Sequence, residues 1–255
     1  MKNKLKKLTS ILLFAILAVS LAFSFACGSS TFNGNYKKIS AEEIANYSTQ
    51  IENSKDGGKI NFTDGYEVVI KTNITGISIN SNYKFTTKNG IINLALLTIL
   101  KTESSTIKTN IYYDGEYAYC DFAVGGQTVK IKQEINYEDL LEEFADIPDV
   151  DFIKIYSELT EYAKDVFVAM AEETEDQIKI KLELPKNSRL SGTYFSKYQA
   201  SFVFDKNYNV QAIRCISNSV IEGIKQNLTI IVETFNGNIS MPNSADYILG
   251  EIPEI

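Results

Sequence analysis

The absence of histidine limits the chemistry that the side chains of this 255-residue chain could perform. Without imidazole there is no Ser-His or Cys-His nucleophile pair, no histidine general base and none of the usual zinc or non-haem iron ligand sets. Thirty-two aspartates and glutamates remain, and paired carboxylates can cleave glycosidic bonds. Their placement does not distinguish a catalytic pair from solvated acids, so we expect a protein that is not an enzyme.

Two local patterns that could suggest binding motifs are better explained as turns. The acidic run from Glu172 to Asp176 lacks the spaced ligands and the fixed glycine of an EF-hand loop. Gly125-Gly126 lies between two strand-like runs and precedes no helix, so it is not a phosphate-binding or dinucleotide-binding loop. We therefore expect neither a metal nor a cofactor.

Cys27 is the residue to which the sequence assigns a specific chemistry. A basic start, an apolar run from Ile11 to Ala26 and the small Ala26 itself precede it, which is the organisation of an export signal. This arrangement resembles a bacterial lipoprotein. The resemblance implies that Cys27 carries two acyl chains of the palmitate type, becomes the mature N-terminus and anchors the protein on the extracytoplasmic face of the cell membrane. We divide the chain into a signal peptide (1–26), a lipidated tether (27–39) and a single domain (40–255).

The charge of the mature chain limits the kinds of partner that it can attract. Removing residues 1 to 26 takes away four lysines and no acids, which leaves 21 basic and 32 acidic residues and a net charge of −11. Such a field repels phosphate backbones, so we expect no nucleic-acid partner. From the net charge alone we also expect no electrostatic attraction to anionic lipid headgroups, so that attachment depends on the acyl chains.

Cys120 and Cys215 form an even pair in a chain that carries an export signal. A disulfide between them and two buried free thiols are both consistent with their strand-like surroundings.

A capped helix and a hairpin are predicted in the first third of the domain. Ser40 followed by Glu43 is a capping box, so residues 41 to 51 should form a helix. Strands are expected from Tyr66 to Thr75 and from Ile77 to Thr87, followed by a tight turn at Asn89-Gly90. With a two-residue turn, the residue pairs that face each other are Phe85 with Leu94 and Tyr83 with Leu96.

A meander of three strands is predicted from Ile107 to Lys132, with turns at Asp114-Gly115 and Gly125-Gly126. One face should be apolar, and the other should carry Asp121 between Lys108 and Lys130, with Tyr112 beside Tyr117. The apolar positions of the meander are Ile107, Ile111, Ala118, Cys120, Phe122, Val129 and Ile131.

Two helices and further strands are predicted in the second half. Helical spacing of apolar residues indicates helices from Asn136 to Phe144 and over about 151–164. Alternation from Ile178 to Leu184 indicates a strand that pairs with Val166 to Ala171. Three more strands are expected at Lys197 to Phe204, Val210 to Asn218 and Lys225 to Phe235.

These elements together resemble the LolA/LppX-like group of envelope lipoproteins and lipoprotein carriers. The resemblance rests on the capped helix at Ser40, the meander around Tyr113-Asp114-Gly115-Glu116-Tyr117, the helix Tyr137 to Phe144 and the ending Phe235-Asn236-Gly237-Asn238-Ile239-Ser240-Met241-Pro242. It implies an α+β fold: a strongly curved antiparallel sheet of about ten strands, a half-barrel, with about three helices covering its concave face.

The apolar face of this sheet has two interpretations. It is either core covered by helices or the wall of a cavity for a lipid-like or apolar ligand. The candidate ligand-lining residues are Phe85, Leu94, Leu96, Ile111, Phe122, Val129, Ile131, Ile180 and Leu182. The first functional hypothesis is a membrane-anchored, non-enzymatic lipoprotein that binds an apolar ligand. The alternative is an envelope protein-protein interaction or regulatory scaffold without a ligand.

Overall fold

A computed structural model of the chain describes residues 31–54, 65–88, 90–124, 126–136, 139, 166–190 and 193–251. Within these ranges the backbone forms fourteen strands, one α-helix (α1, Ala41–Glu52) and one short 3-10 helix (Ser244–Asp246). The strands in chain order are β1 (Lys37–Lys38), β2 (Tyr66–Ile74), β3 (Ile77–Lys88), β4 (Ile91–Lys101), β5 (Thr106–Tyr113), β6 (Tyr117–Val124), β7 (Gln127–Glu134), β8 (Val168–Glu173), β9 (Gln177–Glu183), β10 (Ser188–Leu190), β11 (Thr193–Asp205), β12 (Val210–Ile221), β13 (Ile224–Thr234) and β14 (Ile248–Leu249).

All fourteen strands belong to one sheet. Their spatial order is β1-β8-β9-β11-β12-β13-β2-β3-β4-β5-β6-β7-β14, with β10 paired to β11. Two antiparallel meanders, β2 to β7 and β8 to β13, therefore join where β13 pairs with β2. The two-residue β14 is the parallel member and extends the sheet beyond β7.

The predicted first helix is confirmed, and it begins with the expected capping box. The amide of Glu43 donates to the Ser40 hydroxyl at 3.2 Å, and the amide of Ser40 donates to the Glu43 carboxylate at 2.7 Å. These two bonds satisfy amides that the first turn of a helix leaves without partners. Ile44 and Ile51 are buried against the sheet.

The register of the predicted β3–β4 hairpin is confirmed. Lys88 pairs with Ile91, which leaves two residues in the turn, and Gly90 has a φ of 77° as such a turn requires. Phe85 then faces Leu94, and Tyr83 faces Leu96.

The β5–β6 turn is longer than the sequence suggests. Tyr113 pairs with Ala118, so the connection has four residues instead of two. The Asp114 carboxylate accepts bonds from the amides of Glu116 and Tyr117 at 3.0 and 2.8 Å and thereby closes the longer loop. Tyr112 consequently faces Tyr119, not Tyr117. Because the shift is two residues, every side chain keeps its predicted face.

The predicted fold class is wrong. In place of about ten strands with about three helices over the concave face of a half-barrel, the described residues form a nearly all-β structure with a single α-helix. The long strands lie where they were predicted. The additional strands β1, β10 and β14 have two or three residues each, too few for an alternating pattern to appear.

The predicted helices at 136–144 and 151–164 lie outside the described residues, apart from Asn136 and Asp139. At that point the amide of Asp139 donates to the Asn136 side chain at 2.8 Å, which is the bond expected of an N-cap.

Candidate functional site

The sheet has two faces of different chemistry. We call the side that α1 covers the apolar face; it carries Val68, Ile70, Ile180, Leu182 and Phe202 in the main core. We call the opposite side the charged face; it is defined by the residues that alternate with these. The main core thus forms between α1 and the apolar face of β2, β8, β9 and β11 to β13.

All nine candidate ligand-lining residues lie on the apolar face, as the register of the sheet shows. Their exposure differs along the sheet. Ile180, Leu182 and Ile111 are buried, and the first two are fully enclosed. Phe85, Leu94, Leu96 and Ile131 are half-buried, whereas Phe122 is 39% and Val129 52% exposed. The apolar face is therefore closed beneath α1 and accessible at β6 and β7.

A groove of about 200 Å³ lies on the apolar face near the β12–β13 hairpin. Its walls combine apolar groups such as Phe195 and Leu228 with the hydroxyls of Thr72, Ser217 and Ser219. The sequence did not assign these residues to a site. The alternation of serines at 217 and 219 opposite the apolar strand β13 was the signal available.

The charged face concentrates the basic residues of the protein. The register places on it the side chains of Lys38, Lys71, Lys84, Lys101, Lys108, Lys130, Lys132, Lys179, Lys181, Arg189, Lys197, Arg214 and Lys225. The acidic side chains on the same face are Glu67, Asp121, Glu134, Glu172, Glu183, Asp205 and Glu233. Thirteen basic and seven acidic groups give this face a positive balance in a mature chain whose net charge is −11.

Ion pairs organise the charged face. Lys84 lies 3.5 Å from Glu67, Lys179 lies 3.8 Å from Glu172, and Lys181 lies 3.3 Å from Glu183. The Glu67 carboxylate also accepts a bond from Asn82 at 2.8 Å. Several acids of this face are thus neutralised locally.

Residues 31–40, which we call the N-terminal strap, pass from the charged face to α1. Phe32 is 2% exposed and packs against Val203, Ala212 and Ile231. The Arg214 guanidinium lies 4.6 Å from the centre of the Phe32 ring, a cation–π contact. Part of the predicted tether is therefore packed on the sheet.

Polar contacts continue along the strap. Lys179 donates to the carbonyl of Asn33 at 2.8 Å, and the amide of Asn35 donates to Glu172 at 2.8 Å. The Tyr36 ring lies beneath the Lys181 ammonium at 4.6 Å. The strap then adds β1 to the edge of β8, and Ser40 caps α1 on the other side. Residues 31–54 consequently contact both faces of the sheet, the strap on the charged face and α1 on the apolar face.

Glu233 has an unusual titration because of its position beneath the strap. Glu233 is 9% exposed, and burial raises the pKa of its carboxyl to about 7. A hydrogen bond with Thr31 and the charge of Arg214 lower the pKa, while nearby Glu67 raises it further. Burial in turn lowers the pKa of Arg214. Neither residue was predicted to be part of a site.

The C-terminal segment covers another part of the charged face. Tyr247 is buried and packs edge-on against Tyr119 with ring centres 5.2 Å apart, and Lys130 lies over it. Lys132 donates to the Ser244 hydroxyl at 2.7 Å. Beyond this contact, Ile248 and Leu249 of β14 are 75% and 69% exposed.

The two cysteines are free thiols on the apolar face. Cys120 is 4% exposed, as predicted for the apolar side of the meander, and burial raises its pKa. Burial raises the pKa of Cys215 to about 11, against a hydrogen bond with Tyr198 that lowers it. Six strand-to-strand steps separate β12 from β6, so a disulfide between them is ruled out by distance.

Comparison with known proteins does not assign the chain to a family. The chain matches no protein-family model, and no curated protein matches it. Among the residues that the structure describes, no three His, Cys, Asp or Glu side chains form a group that could hold a metal ion. No helix within the same ranges is long and apolar enough to cross a membrane.

Proposed function

We propose that this protein is a lipid-anchored, extracytoplasmic, non-enzymatic protein that binds an apolar, lipid-like ligand on the apolar face of its sheet. Cys27 carries the acyl chains in this proposal, and the resemblance of its surroundings to a bacterial lipoprotein signal supports that assignment. The body is the ligand-binding part.

The observation that carries the ligand proposal is the exposure of the apolar face beyond the helix-covered core. Phe122 and Val129 are adjacent partners on β6 and β7 with 39% and 52% of their surface exposed. Half-buried Ile131 and Leu96 continue the same surface toward the core. Exposed apolar area of this kind is costly in water unless a ligand or partner uses it.

The groove beside Phe195 and Leu228 is a second, separate place on the apolar face, with Leu228 five strand-to-strand steps from Phe122. Its hydroxyls at Thr72, Ser217 and Ser219 can donate and accept hydrogen bonds. A molecule with an apolar chain and a hydrogen-bonding head is therefore the expected class.

The ligand proposal is tested with a fluorescent fatty-acid probe and two adjacent substitutions. Val129 and Thr128 are neighbours on β7, both exposed, and they lie on opposite faces. Val129→Glu should weaken probe binding at least about tenfold, since it places a charge in the apolar surface. Thr128→Glu carries the same charge on the other face and should bind the probe as the wild type does. Equal binding by all three proteins, or no binding by the wild type, would reject the ligand proposal.

A protein-protein scaffold is the second candidate, and the exposed strand β14 favours it. Ile248 and Leu249 lie at the edge of the sheet, where a partner strand could add to it. Native mass spectrometry of the protein as isolated separates the two candidates, because a ligand adds the mass of a small molecule and a scaffold adds that of a protein.

A further inference from the structure

We infer that the charged face of the sheet lies against an anionic membrane surface, so that the apolar face with its ligand points away from the bilayer. Two independent observations carry this inference: the place where the N-terminal strap is held, and the distribution of charge. The first argument rests on the proposed lipid anchor at Cys27, whereas the second does not.

The strap restricts how far the body can lie from its anchor. Only four residues separate Cys27 from Phe32, and an extended chain spans at most about 3.6 Å per residue, so five steps cover roughly 18 Å. Phe32 is buried on the charged face among Val203, Ala212 and Ile231. The lipidated end is therefore short and begins on the charged face, whereas α1 covers the opposite one.

The distribution of charge favours the same orientation. By register, the charged face carries thirteen of the 21 basic residues of the mature chain but seven of its 32 acidic residues. On the opposite side, α1 carries the acidic Glu42, Glu43 and Glu52 and no basic residue. The charged face is therefore attracted to anionic headgroups, whereas the side that α1 covers is repelled by them.

This asymmetry changes the expectation drawn from net charge. A net charge of −11 predicts repulsion by anionic lipids, but headgroup interactions act within about a Debye length, roughly 8 Å at physiological salt. Within that distance, only the charges on the face nearer the membrane interact strongly with the headgroups. Lys71 and Lys225 are exposed there and can reach headgroups directly.

Orientation is measured on the lipidated mature protein in vesicles of phosphatidylcholine and phosphatidylglycerol that contain a headgroup-bound acceptor dye. A donor fluorophore is introduced through an unnatural amino acid at Asn73 or at Asn46. Both positions are exposed asparagines, the first on the charged face and the second on the outer side of α1. We expect stronger energy transfer from position 73. Equal transfer, or stronger transfer from position 46, would overturn the inference.

Charge recognition is measured separately on the mature chain with Cys27→Ala, which has no acyl chains. It should sediment with vesicles that contain phosphatidylglycerol and not with pure phosphatidylcholine, and salt should weaken the binding. Lys71→Glu with Lys225→Glu should weaken binding at least about tenfold, since each basic group near the surface contributes about 1 kcal/mol. Lys37→Glu with Lys186→Glu makes the same charge change at two exposed positions, Lys37 on the apolar side of β1 and Lys186 in the loop before β10, and should have much less effect.

The outcomes separate this inference from the proposed function. A wild type that carries no acyl chain would refute the proposed anchor, yet the vesicle experiment would still decide the charge argument. Equal losses from the two charge-reversal pairs, with circular dichroism showing intact folds, would refute the charged face as the membrane-facing surface whatever the state of Cys27.

Discussion

The guanidinium of Arg214 lies over the ring of Phe32, and this contact fixes the N-terminal strap to the sheet. Arg214 stands in the middle of β12, where it pairs with Ser201 on one side and Ile231 on the other. A cation in this position would be costly to bury without an aromatic ring and the nearby Glu233 carboxyl. The strap and the sheet therefore stabilise each other.

Replacing Phe32 by alanine should release the strap and destabilise the fold. Phe32 is almost completely buried, and truncation of a buried phenylalanine typically costs about 3 to 5 kcal/mol. We expect a lower urea midpoint and faster proteolysis within residues 31–40. Asn33→Ala is the control, because Asn33 is exposed and contributes its backbone carbonyl to Lys179. Similar midpoints for Phe32→Ala and the wild type would show that the strap does not pack as described.

Glu233 should make stability depend on pH between about 4.5 and 7. The pKa of the folded protein is raised to about 7 from the ordinary 4.5, so the folded state favours the neutral carboxyl. Its stabilising contribution is fully present below pH 4.5 and is lost as the pH rises through 7. Glu233→Gln stays neutral and should remove this part of the pH dependence, raising the thermal midpoint most at pH 8.

The control for this experiment is Glu175→Gln, at an exposed position in the β8–β9 turn. It should follow the wild-type pH profile. A profile unchanged by Glu233→Gln would mean that the carboxyl titrates as an ordinary glutamate and is not buried beneath the strap.

Both thiols should resist alkylation in the folded protein. Burial raises the pKa of Cys120 and raises that of Cys215 to about 11, so the reactive thiolate is scarce at neutral pH. Iodoacetamide at pH 7.5 should label neither until urea unfolds the chain, after which mass spectrometry should find both modified. Thr128→Cys supplies an exposed thiol as the positive control. Rapid labelling of Cys120 in the native protein would contradict the observed strand register.

The alternation of side chains along the strands made the two faces of the sheet predictable. The lengths of the turns between the strands were harder to predict. The sequence places Phe85 opposite Leu94 correctly because Asn89-Gly90 demands a two-residue turn. It misjudges the turn after Tyr113, since the Asp114 side chain closes a four-residue loop through bonds that a dipeptide pattern does not encode. The face assignments nevertheless stand because the error is an even number of residues.

The strap and the charge asymmetry could not be predicted because both depend on contacts distant in sequence. Phe32 looks like a tether residue until β11, β12 and β13 bring Val203, Ala212 and Ile231 together beneath it. The basic residues of the charged face are scattered from Lys38 to Lys225, and the pairing of β13 with β2 joins the two meanders so that they share one surface. Net charge, the quantity that a sequence gives directly, conceals this arrangement.

Two alanine substitutions should show that the apolar face has a structural part and an accessible part. Ile180 is fully buried beneath α1 and Val129 is 52% exposed, although both project from the same side of the sheet. Ile180→Ala should cost about 2 to 5 kcal/mol because it leaves a cavity in the core. Val129→Ala should change the free energy of unfolding by less than about 0.5 kcal/mol, since water already reaches that side chain.

Urea denaturation of both variants, with the fatty-acid probe measured in parallel, links stability to binding. We expect Val129→Ala to reduce probe affinity while leaving the urea midpoint in place. A large loss of stability at Val129 would instead identify β7 as closed core and would leave the apolar face without an accessible ligand surface at that end.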